Sequence, residues 1–288
     1  MKSLSTPLTG LFVIILMQFS YGQSKPQPTA GSVIKNIISH TGAGNIPNTV
    51  DVIKTGDAQT PVTGIITCMF ASMNVLKKAV EINCNLIITH EPVFYNHRDE
   101  TGQFNSDPVF LEKKKYIDDH KLVIWRFHDY VHSLKPDAID YGMVRKIGWL
   151  NYASEGEPNT ITLPETTLNG VLQHLKKVFP KNTFNVVGDP GMKVTKVMFS
   201  AGAPGSSAHF NLLRRQDTDL VVAGEVPQWE TYEYVRDAVN QGKKKAIIFL
   251  GHIPSEESGM EYAAEWLRGF IKDVPVSFVE CGPSYWTY

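Results

Sequence analysis

The sequence predicts an α/β protein built from two similar halves, each with a mainly parallel, mixed sheet. Short apolar runs alternate with amphipathic segments at helical spacing, and this alternation occurs in both halves of the chain. Strands that alternate with helices in this way are typical of βαβ units. The halves span about 31–150 and 165–288, and no low-complexity linker separates them. We therefore predict a single unit over residues 23–288.

The first half shows the alternation most clearly. Apolar runs predict strands over 62–70, 85–90 and 121–127. Between them, 72–83 has apolar residues at helical spacing, and 108–120 is also predicted to be a helix. The order strand, helix, strand, helix, strand favours parallel pairing of the three strands.

The second half repeats this order after a stretch of about 150–195 in which the pattern is weaker. Within that stretch, only 166–179 has a clear helical pattern. Ser258 and Glu261 fit a capping box, so the last helix is predicted to start beside them. The predicted elements that follow are strand 193–202, helix 207–216, strand 219–225, helix 231–242, strand 245–252, helix 260–270 and strand 274–280.

The N-terminus has the pattern of a secretory signal peptide. Lys2 precedes the apolar run LFVIILM at 11–17, and the small residues Ser20 and Gly22 precede a polar segment. We predict that 1–22 is removed, with export to the periplasm or the medium and no membrane attachment afterwards. A retained anchor or a cytosolic start stays open, although the apolar run is short for a membrane span.

Composition narrows the function classes. The net charge is −1, so no basic surface indicates nucleic-acid binding. The three cysteines, Cys68, Cys84 and Cys281, are odd in number and sparse, which does not fit a disulfide framework in an exported protein. One disulfide remains possible, and the cysteines do not form a CxxC zinc motif.

Four predicted strands end in histidine or acidic residues. In α/β sheets, functional sites gather at the carboxyl ends of strands. Imidazole and carboxylate groups suit Zn²⁺, Mn²⁺, Fe or Ni²⁺. Their number exceeds the needs of one zinc ion, which favours a site for two divalent metals. The candidates are His90, Glu91, His128, Asp129, His132, Glu225, His252 and Glu256.

Each motif also has an alternative interpretation. Any one of these polar residues could simply end a strand at the surface, and Glu256 could stabilise the start of a helix. The segment HDYVH at 128–132 has the histidine spacing of zinc proteases, although a predicted strand precedes it and the acid is aspartate. The glycine loop SAGAPGSS at 200–207 could hold a phosphate or form a tight turn beside the metal site.

The same positions carry a resemblance to a known family. THEP (89–92), GE (224–225) and GHIPSEESGMEYAAEWL (251–267) resemble the Ngg-interacting-factor-three-like family of "dinuclear metal centre, hexameric" proteins. Some bacterial members of that family are labelled GTP cyclohydrolase I type 2. The resemblance covers about 33–282 and implies two metal ions where the halves meet, with assembly into a ring-shaped homohexamer.

The resemblance also implies a ligand set, with two departures. His90 matches the first histidine of a THHP element, and His252 and Glu256 match GHxxxE. Glu91 stands where the family has a second histidine, and His132 stands where a His-x-x-x-Asp element beginning at His128 has its aspartate. Both replacements are competent ligands, so we expect a working site with altered metal preference; Asp129 is an alternative source of the displaced carboxylate.

The leading hypothesis is a hydrolase in which two metals activate water. Its metal ligands are His90, Glu91, His128, His132, His252 and Glu256. Glu225 and Asp129 are the candidate catalytic residues, as general base or as partners that orient a histidine. The substrate is a small molecule with a cyclic amidine or purine ring, a phosphoester or an amide. The alternative is a non-catalytic scaffold whose metals stabilise an oligomer.

Overall fold

The computed structural model describes residues 27–286 and contains two mixed sheets flanked by helices. The predicted signal peptide lies outside the described residues. The helices are α1 (Ala30–His40), α2 (Met73–Glu81), α3 (Pro108–Asp119), α4 (Asp129–His132), α5 (Ala138–Lys146), α6 (Leu168–Val178), α7 (Ser206–Leu213), α8 (Glu233–Asn240) and α9 (His252–Phe270). The strands are β1 (Ile53–Thr55), β2 (Ile65–Cys68), β3 (Leu86–Thr89), β4 (Val123–Arg126), β5 (Ala153–Ser154), β6 (Glu157–Thr167), β7 (Asn185–Val187), β8 (Lys193–Ser200), β9 (Leu220–Ala223), β10 (Ala246–Phe249) and β11 (Val276–Phe278).

The first sheet has the strand order β1-β4-β3-β2-β11. Strands β4, β3, β2 and β11 are parallel, and β1 pairs antiparallel with β4 at one edge. β11 is the last strand of the chain, and the sequence places it in the second half. Its pairing with β2 means that the chain returns to the first sheet after completing the second.

The second sheet has the strand order β5-β6-β8-β9-β10-β7. Strands β8, β9 and β10 are parallel, whereas β5, β6 and β7 add antiparallel pairs on the two sides. The stretch 150–195, where the sequence pattern is weak, therefore contains the antiparallel strand β6 and the edge strands β5 and β7. The prediction of two mixed α/β sheets is confirmed.

Both sheets are buried on both faces. Along β3, Leu86 and Ile88 pack into one hydrophobic cluster and Ile87 packs into another. Along β9, Leu220 and Val222 face one cluster and the intervening valine faces a second. Parallel strands covered by helices on both sides read as continuous apolar runs, which is why the sequence predicts these strands well.

Helix α9 connects the two sheets. It begins three residues after β10 of the second sheet and then packs on the first sheet, where Met260 and Leu267 share a cluster with residues of β2 and β3. The Thr67 hydroxyl donates a hydrogen bond of 2.8 Å to the carbonyl of Met260. The middle of α9 is therefore held against the carboxyl end of β2 in the first sheet.

The predicted start of this helix is wrong. The capping box at Ser258 suggested a start near 258–260, but α9 begins at His252 and Ser258 lies inside it. Gly251 has a φ of 102°, which lets the chain turn sharply from β10 into the helix. Pro254 lies in the first helical turn, where no intrahelical N–H donor is required.

Two glycines allow α5 and α9 to cross closely. A methyl group on Gly142 of α5 would lie 2.6 Å from the Cα of Gly259, and one on Gly259 would lie 2.5 Å from the Cα of Ile139. Backbone atoms on both sides cannot move away without separating the helices. The position of α9, and of the residues in its first turn, therefore depends on these two glycines.

Substitution of Gly142 by alanine tests this crossing. We expect Gly142→Ala to lower the free energy of unfolding by about 1–3 kcal/mol, because overpacking forces backbone shifts. The matched control is Gly269→Ala, since Gly269 is also on α9 and a methyl group there meets open space. The control should keep or raise stability by up to about 1 kcal/mol. Urea unfolding measures both, and equal effects would contradict the proposed crossing.

Candidate metal centre

The candidate ligands converge where the carboxyl ends of two pairs of parallel strands meet. His90 and Glu91 directly follow β3, and His128 follows the neighbouring β4. Glu225 follows β9, and His252 follows its neighbour β10 as the first residue of α9. Glu256 lies one turn further along α9 than His252. The structure thus brings together side chains that are up to 166 positions apart in the sequence, the separation of His90 and Glu256.

His90 is the centre of the cluster. Its side chain is fully buried, and its ring lies 4.8 Å from that of His128 and 5.2 Å from that of His132. The Nε2 atom has no hydrogen-bond partner among the described residues, and the nearest carboxylate oxygen of Glu256 is 3.5 Å away. A buried polar atom without a partner is costly and needs an explanation. A metal ion at this atom would satisfy it.

All four histidines have an oxygen partner at Nδ1. Such partners fix the orientation of a ligating imidazole and raise its basicity, and they leave Nε2 available to a metal. The pairs are His90 with the carbonyl of Phe127 at 3.2 Å, His128 with Asp129 at 2.9 Å, His132 with Asp137 at 2.8 Å, and His252 with Glu225 at 2.8 Å.

Two carboxylates lie among the Nε2 atoms. Glu256 is 3.0 Å from His252 Nε2 and 3.5 Å from His90 Nε2, so it lies between these two histidines. Glu91 approaches His252 Nε2 at 3.4 Å and His128 Nε2 at 3.9 Å through Oε1. Both glutamates are buried. Buried carboxylates of this kind are usually paired with cations or bound to metals.

The donor atoms form two groups that could hold a metal ion. One consists of His90, His128 and His132, and the other consists of His90, Glu91 and Glu256. Within each group the ligand atoms lie within 4.8 Å of one another. Nitrogen and oxygen donors in this number fit divalent ions such as zinc, manganese, iron or nickel. The predicted ligands are thus brought together, and His252 adjoins the second group.

The predicted catalytic residues lie at the edge of this cluster. Asp129 contacts His128 and accepts a hydrogen bond of 3.2 Å from the backbone N–H of Val50. Glu225 contacts His252 at Nδ1, and its side chain is 55% exposed. The sequence predicts that Asp129 and Glu225 act either as a general base or as a partner that orients a histidine. These contacts favour the second role for both residues.

The histidines differ in their protonation. Burial lowers the pKa of His252, but hydrogen bonds to Glu225, Glu256 and Glu91 outweigh this effect and raise the pKa to about 11. Burial likewise opposes protonation of His132, yet the hydrogen bond and charge of Asp137 raise its pKa to about 9. At pH 7 both rings are therefore protonated without metal.

Burial sets the direction of the pKa shift for two other groups in the cluster, but not for Glu256. It lowers the pKa of His128 to about 4, together with the charge of His90. It raises the pKa of Asp140 to about 7, together with the charge of Asp137. For Glu256, burial alone would raise the pKa, but the charge of His90 and the hydrogen bond from His252 hold it well below its usual value.

Sequence reasoning missed two acids that position histidines. Buried Asp51 accepts hydrogen bonds of 2.8–3.0 Å from three successive backbone N–H groups at the start of α4, and so fixes the turn that carries His128 and His132. Asp137 binds His132 and also caps α5. The capping position of Asp137 was a usable signal. Asp51 lies in a loop, and nothing local distinguishes it.

Arg126 is a third residue that sequence reasoning missed. It is the last residue of β4, and its side chain is fully buried. Its guanidinium donates to Glu91 Oε2 at 3.2 Å and to the carbonyl of His90 at 3.1 Å. A third hydrogen bond reaches the carbonyl of His97. A buried cation therefore lies directly behind one of the candidate ligands.

The glycine loop 200–207 packs against the cluster. Gly202 has a φ of 62°, and a Cβ at this position would collide with the carboxylate of Glu256. Its backbone N–H donates a hydrogen bond of 3.0 Å to the hydroxyl of Ser255. These contacts favour the interpretation of the loop as a tight turn beside the candidate centre over that of a phosphate site.

The HDYVH segment also differs from the prediction. β4 ends at Arg126, and 129–132 forms the one-turn helix α4, so the histidines do lie one turn apart on a helical segment. The acid of this segment, Asp129, contacts His128 and accepts a hydrogen bond from the backbone of Val50. It is therefore engaged as the partner of a histidine, which again disfavours a zinc-protease site.

Two further properties bear on the predictions. All three cysteines are described, and each is a free thiol. Over residues 27–286, no helix combines the length and apolar character that a membrane crossing requires.

Solved structures with the same fold come from several microorganisms. A Bacillus cereus protein related to NIF3 aligns with a TM-score of 0.70 and 14% identity, over 91% of this chain and 99% of its own. A Staphylococcus aureus hypothetical protein aligns with a TM-score of 0.69 and 12% identity, with the same two coverages. Reduced HcgD from Methanocaldococcus jannaschii aligns with a TM-score of 0.61 and 16% identity, over 87% of this chain and 97% of its own. At these identities, the likeness shows a shared fold.

Sequence comparisons agree with the structural likeness. A GTP cyclohydrolase 1 type 2 homolog from Clostridium acetobutylicum is 22% identical over 233 residues, which cover 77% of this chain and 82% of the relative. The family model for Duf34/NIF3 (NGG1p interacting factor 3) matches residues 49–283, which include every candidate ligand. The resemblance read from the sequence is confirmed, and the chain belongs to the Duf34/NIF3 family.

Proposed function

We propose that this protein is a metal-dependent hydrolase that holds two divalent cations in the candidate centre. The observation that carries the proposal is the fully buried Nε2 atom of His90, which has no hydrogen-bond partner in residues 27–286 and faces Glu256. The surrounding donors form two overlapping groups. When bound, the cations supply Lewis-acid activation of water and stabilise negative charge in the transition state.

The two groups indicate which residues would hold each cation. His90 belongs to both groups, but its Nδ1 is engaged with the carbonyl of Phe127, so only Nε2 can ligate. One cation would be held by His90, His128 and His132, and the other by Glu91, Glu256 and His252. Oε2 of Glu256 lies 3.5 Å from His90 Nε2 and 3.0 Å from His252 Nε2, so this carboxylate would stand between the two positions.

The other residues of the centre hold the ligands in place. Asp129, Asp137 and Glu225 each fix the Nδ1 atom of one histidine, which leaves Nε2 toward the interior. Asp51 fixes the turn that carries two of these histidines. Pre-set ligands need no rearrangement during the reaction, which is the main contribution of a protein to electrostatic catalysis.

The substrate class follows from the chemistry and from the relatives. Water activated at two cations suits hydrolysis of a cyclic amidine or purine ring, a phosphoester or an amide. The name of the Clostridium acetobutylicum relative, a GTP cyclohydrolase 1 type 2 homolog, supports ring-opening hydrolysis as the first class to test. The signal-peptide pattern supports export from the cell, and GTP is scarce outside the cell. The family resemblance supports a homohexamer. Export and the homohexamer both stay predictions.

A substitution at Glu256 tests the proposal. We expect Glu256→Gln to lose at least one bound ion and to lower kcat by about 10²–10³, because the amide cannot provide an anionic ligand. The measurements are elemental analysis and turnover of cyclic amidines, phosphoesters and amides. The matched control is Glu265→Gln, a second acid of α9 that pairs with Arg145 instead; it should keep both properties.

Two outcomes decide between the candidate functions. Full metal content and full activity in Glu256→Gln would refute the assigned role of this carboxylate. A wild-type protein that holds metals but acts on no substrate, while Glu256→Gln disrupts its oligomer, would favour the non-catalytic scaffold.

Proton release on metal binding gives an independent test. With pKa values of about 9 and 11, His132 and His252 are protonated at pH 7 and must lose their protons to ligate. We expect about two protons released per chain, so the combined affinity for two ions falls about 100-fold from pH 7 to pH 6. Calorimetry in buffers of different ionisation enthalpy counts these protons.

Asp137→Asn serves as the comparison in this experiment. It removes the charge that raises the pKa of His132, and the count should fall to about one. A count near zero in the wild type at pH 7 would contradict ligation by these two histidines.

A further inference from the structure

Arg126 has a fully buried cationic side chain, and it contacts the candidate centre. Its guanidinium makes three hydrogen bonds, and all three go to the segment that follows β3. The acceptors are the carbonyls of His90 and His97 and the Oε2 atom of Glu91. A carboxylate oxygen of Asp99 lies 4.0 Å from the guanidinium, but Asp99 also pairs with Lys54 at 3.3 Å. Glu91 is therefore the closest counter-charge of Arg126.

This contact divides the two oxygens of Glu91 between two tasks. Oε2 accepts from Arg126 at 3.2 Å, and Oε1 faces His252 and His128 at 3.4 and 3.9 Å. Oε1 is thus the oxygen of Glu91 that faces the candidate centre, and Oε2 is held by the guanidinium. The guanidinium cannot lose its proton under ordinary conditions, so the charge behind Glu91 is permanent.

Glu91 differs from the histidine ligands in the kind of group that contacts it from behind. Each of the four histidines has an oxygen acceptor behind it, and such an acceptor strengthens the histidine as a metal donor. Glu91 has a donor and a full positive charge behind it, which withdraw electron density from the carboxylate and repel an incoming cation. In the group of His90, His128 and His132, the Arg126 side chain hydrogen-bonds only to the backbone carbonyl of His90 and to no ligating side-chain atom.

We propose that Arg126 is a positioning residue that holds Glu91 by one oxygen and makes the cation position served by Glu91 the weaker of the two. The inference rests on the proposed metal centre and adds to it an order of filling. The three-histidine position fills first, and the position beside Glu91 and His252 fills second. Arg126 acts through Glu91 and contacts neither a cation nor a substrate.

Zinc titration of the metal-stripped full chain tests the proposal. Calorimetry should resolve two binding events in the wild type, with the second weaker by about tenfold or more. In Arg126→Gln, the weaker event should tighten by about tenfold, while the tighter event changes less than threefold. Arg126→Lys retains a positive charge and should keep the two events separated. If Arg126 served only to hold its neighbours in place through the geometry of the guanidinium, Arg126→Lys would behave like Arg126→Gln.

Two variants serve as controls. Lys113→Gln removes another buried cation from the same region, whose amine donates to the carbonyl of Val93 and contacts no candidate ligand. It should leave both events unchanged. Glu91→Gln removes the carboxylate charge and should abolish the weaker event alone. This variant keeps the proposal testable if Arg126→Gln does not fold, as judged by circular dichroism.

The outcomes separate the two proposals. Two wild-type events of equal affinity, or loss of the tighter event in Glu91→Gln, would overturn the role of Arg126 and leave the metal centre intact. Equal separation of the events in Arg126→Gln and the wild type would do the same. Absence of any zinc binding by the wild type would overturn the metal centre itself.

Discussion

The structure depends on the way helix α9 spans the two sheets. The helix starts at the carboxyl end of β10 in the second sheet, and its body is buried against β2 and β3 of the first. The close crossing at Gly142 and Gly259 fixes the position of α9 relative to α5. As a result, His252 and Glu256 in its first turns face His90, which the first sheet supplies.

The cluster produced in this way is charged and buried, and it is held in place from outside. Oxygen acceptors fix the Nδ1 atom of every histidine, and Asp51 fixes the turn between two of them. Without cations, protonated His132 and His252 balance the buried acids. Divalent cations would replace these protons, so one arrangement of side chains serves both states.

The sequence predicts the strands and most of the ligands because each is encoded locally. A buried parallel strand is a continuous apolar run, and the first polar residue after it, such as His90 or Glu225, lies at the carboxyl edge of the sheet. The capping box at Ser258 and Glu261 misled the prediction of the start of α9, because Ser258 lies inside a helix that begins at His252. Pro254 is compatible with the first turn of that helix.

Other features depend on tertiary contacts that no local pattern encodes. Asp51 caps a helix 77 residues away, counted to His128. Arg126 lies within an apolar strand, and charged residues are rarely fully buried, so its contact with Glu91 was not foreseen. The pairing of β11 with β2 was also missed, because the order of strands along a chain does not determine their order in a sheet.

Diffraction data collected on both sides of the zinc absorption edge, from crystals grown with zinc, test whether these side chains bind metal. We expect anomalous peaks within about 2.0–2.2 Å of His90 Nε2 and of a Glu256 carboxylate oxygen. A fully occupied zinc at the protein surface with no peak among these side chains would contradict the proposal that they form a metal centre.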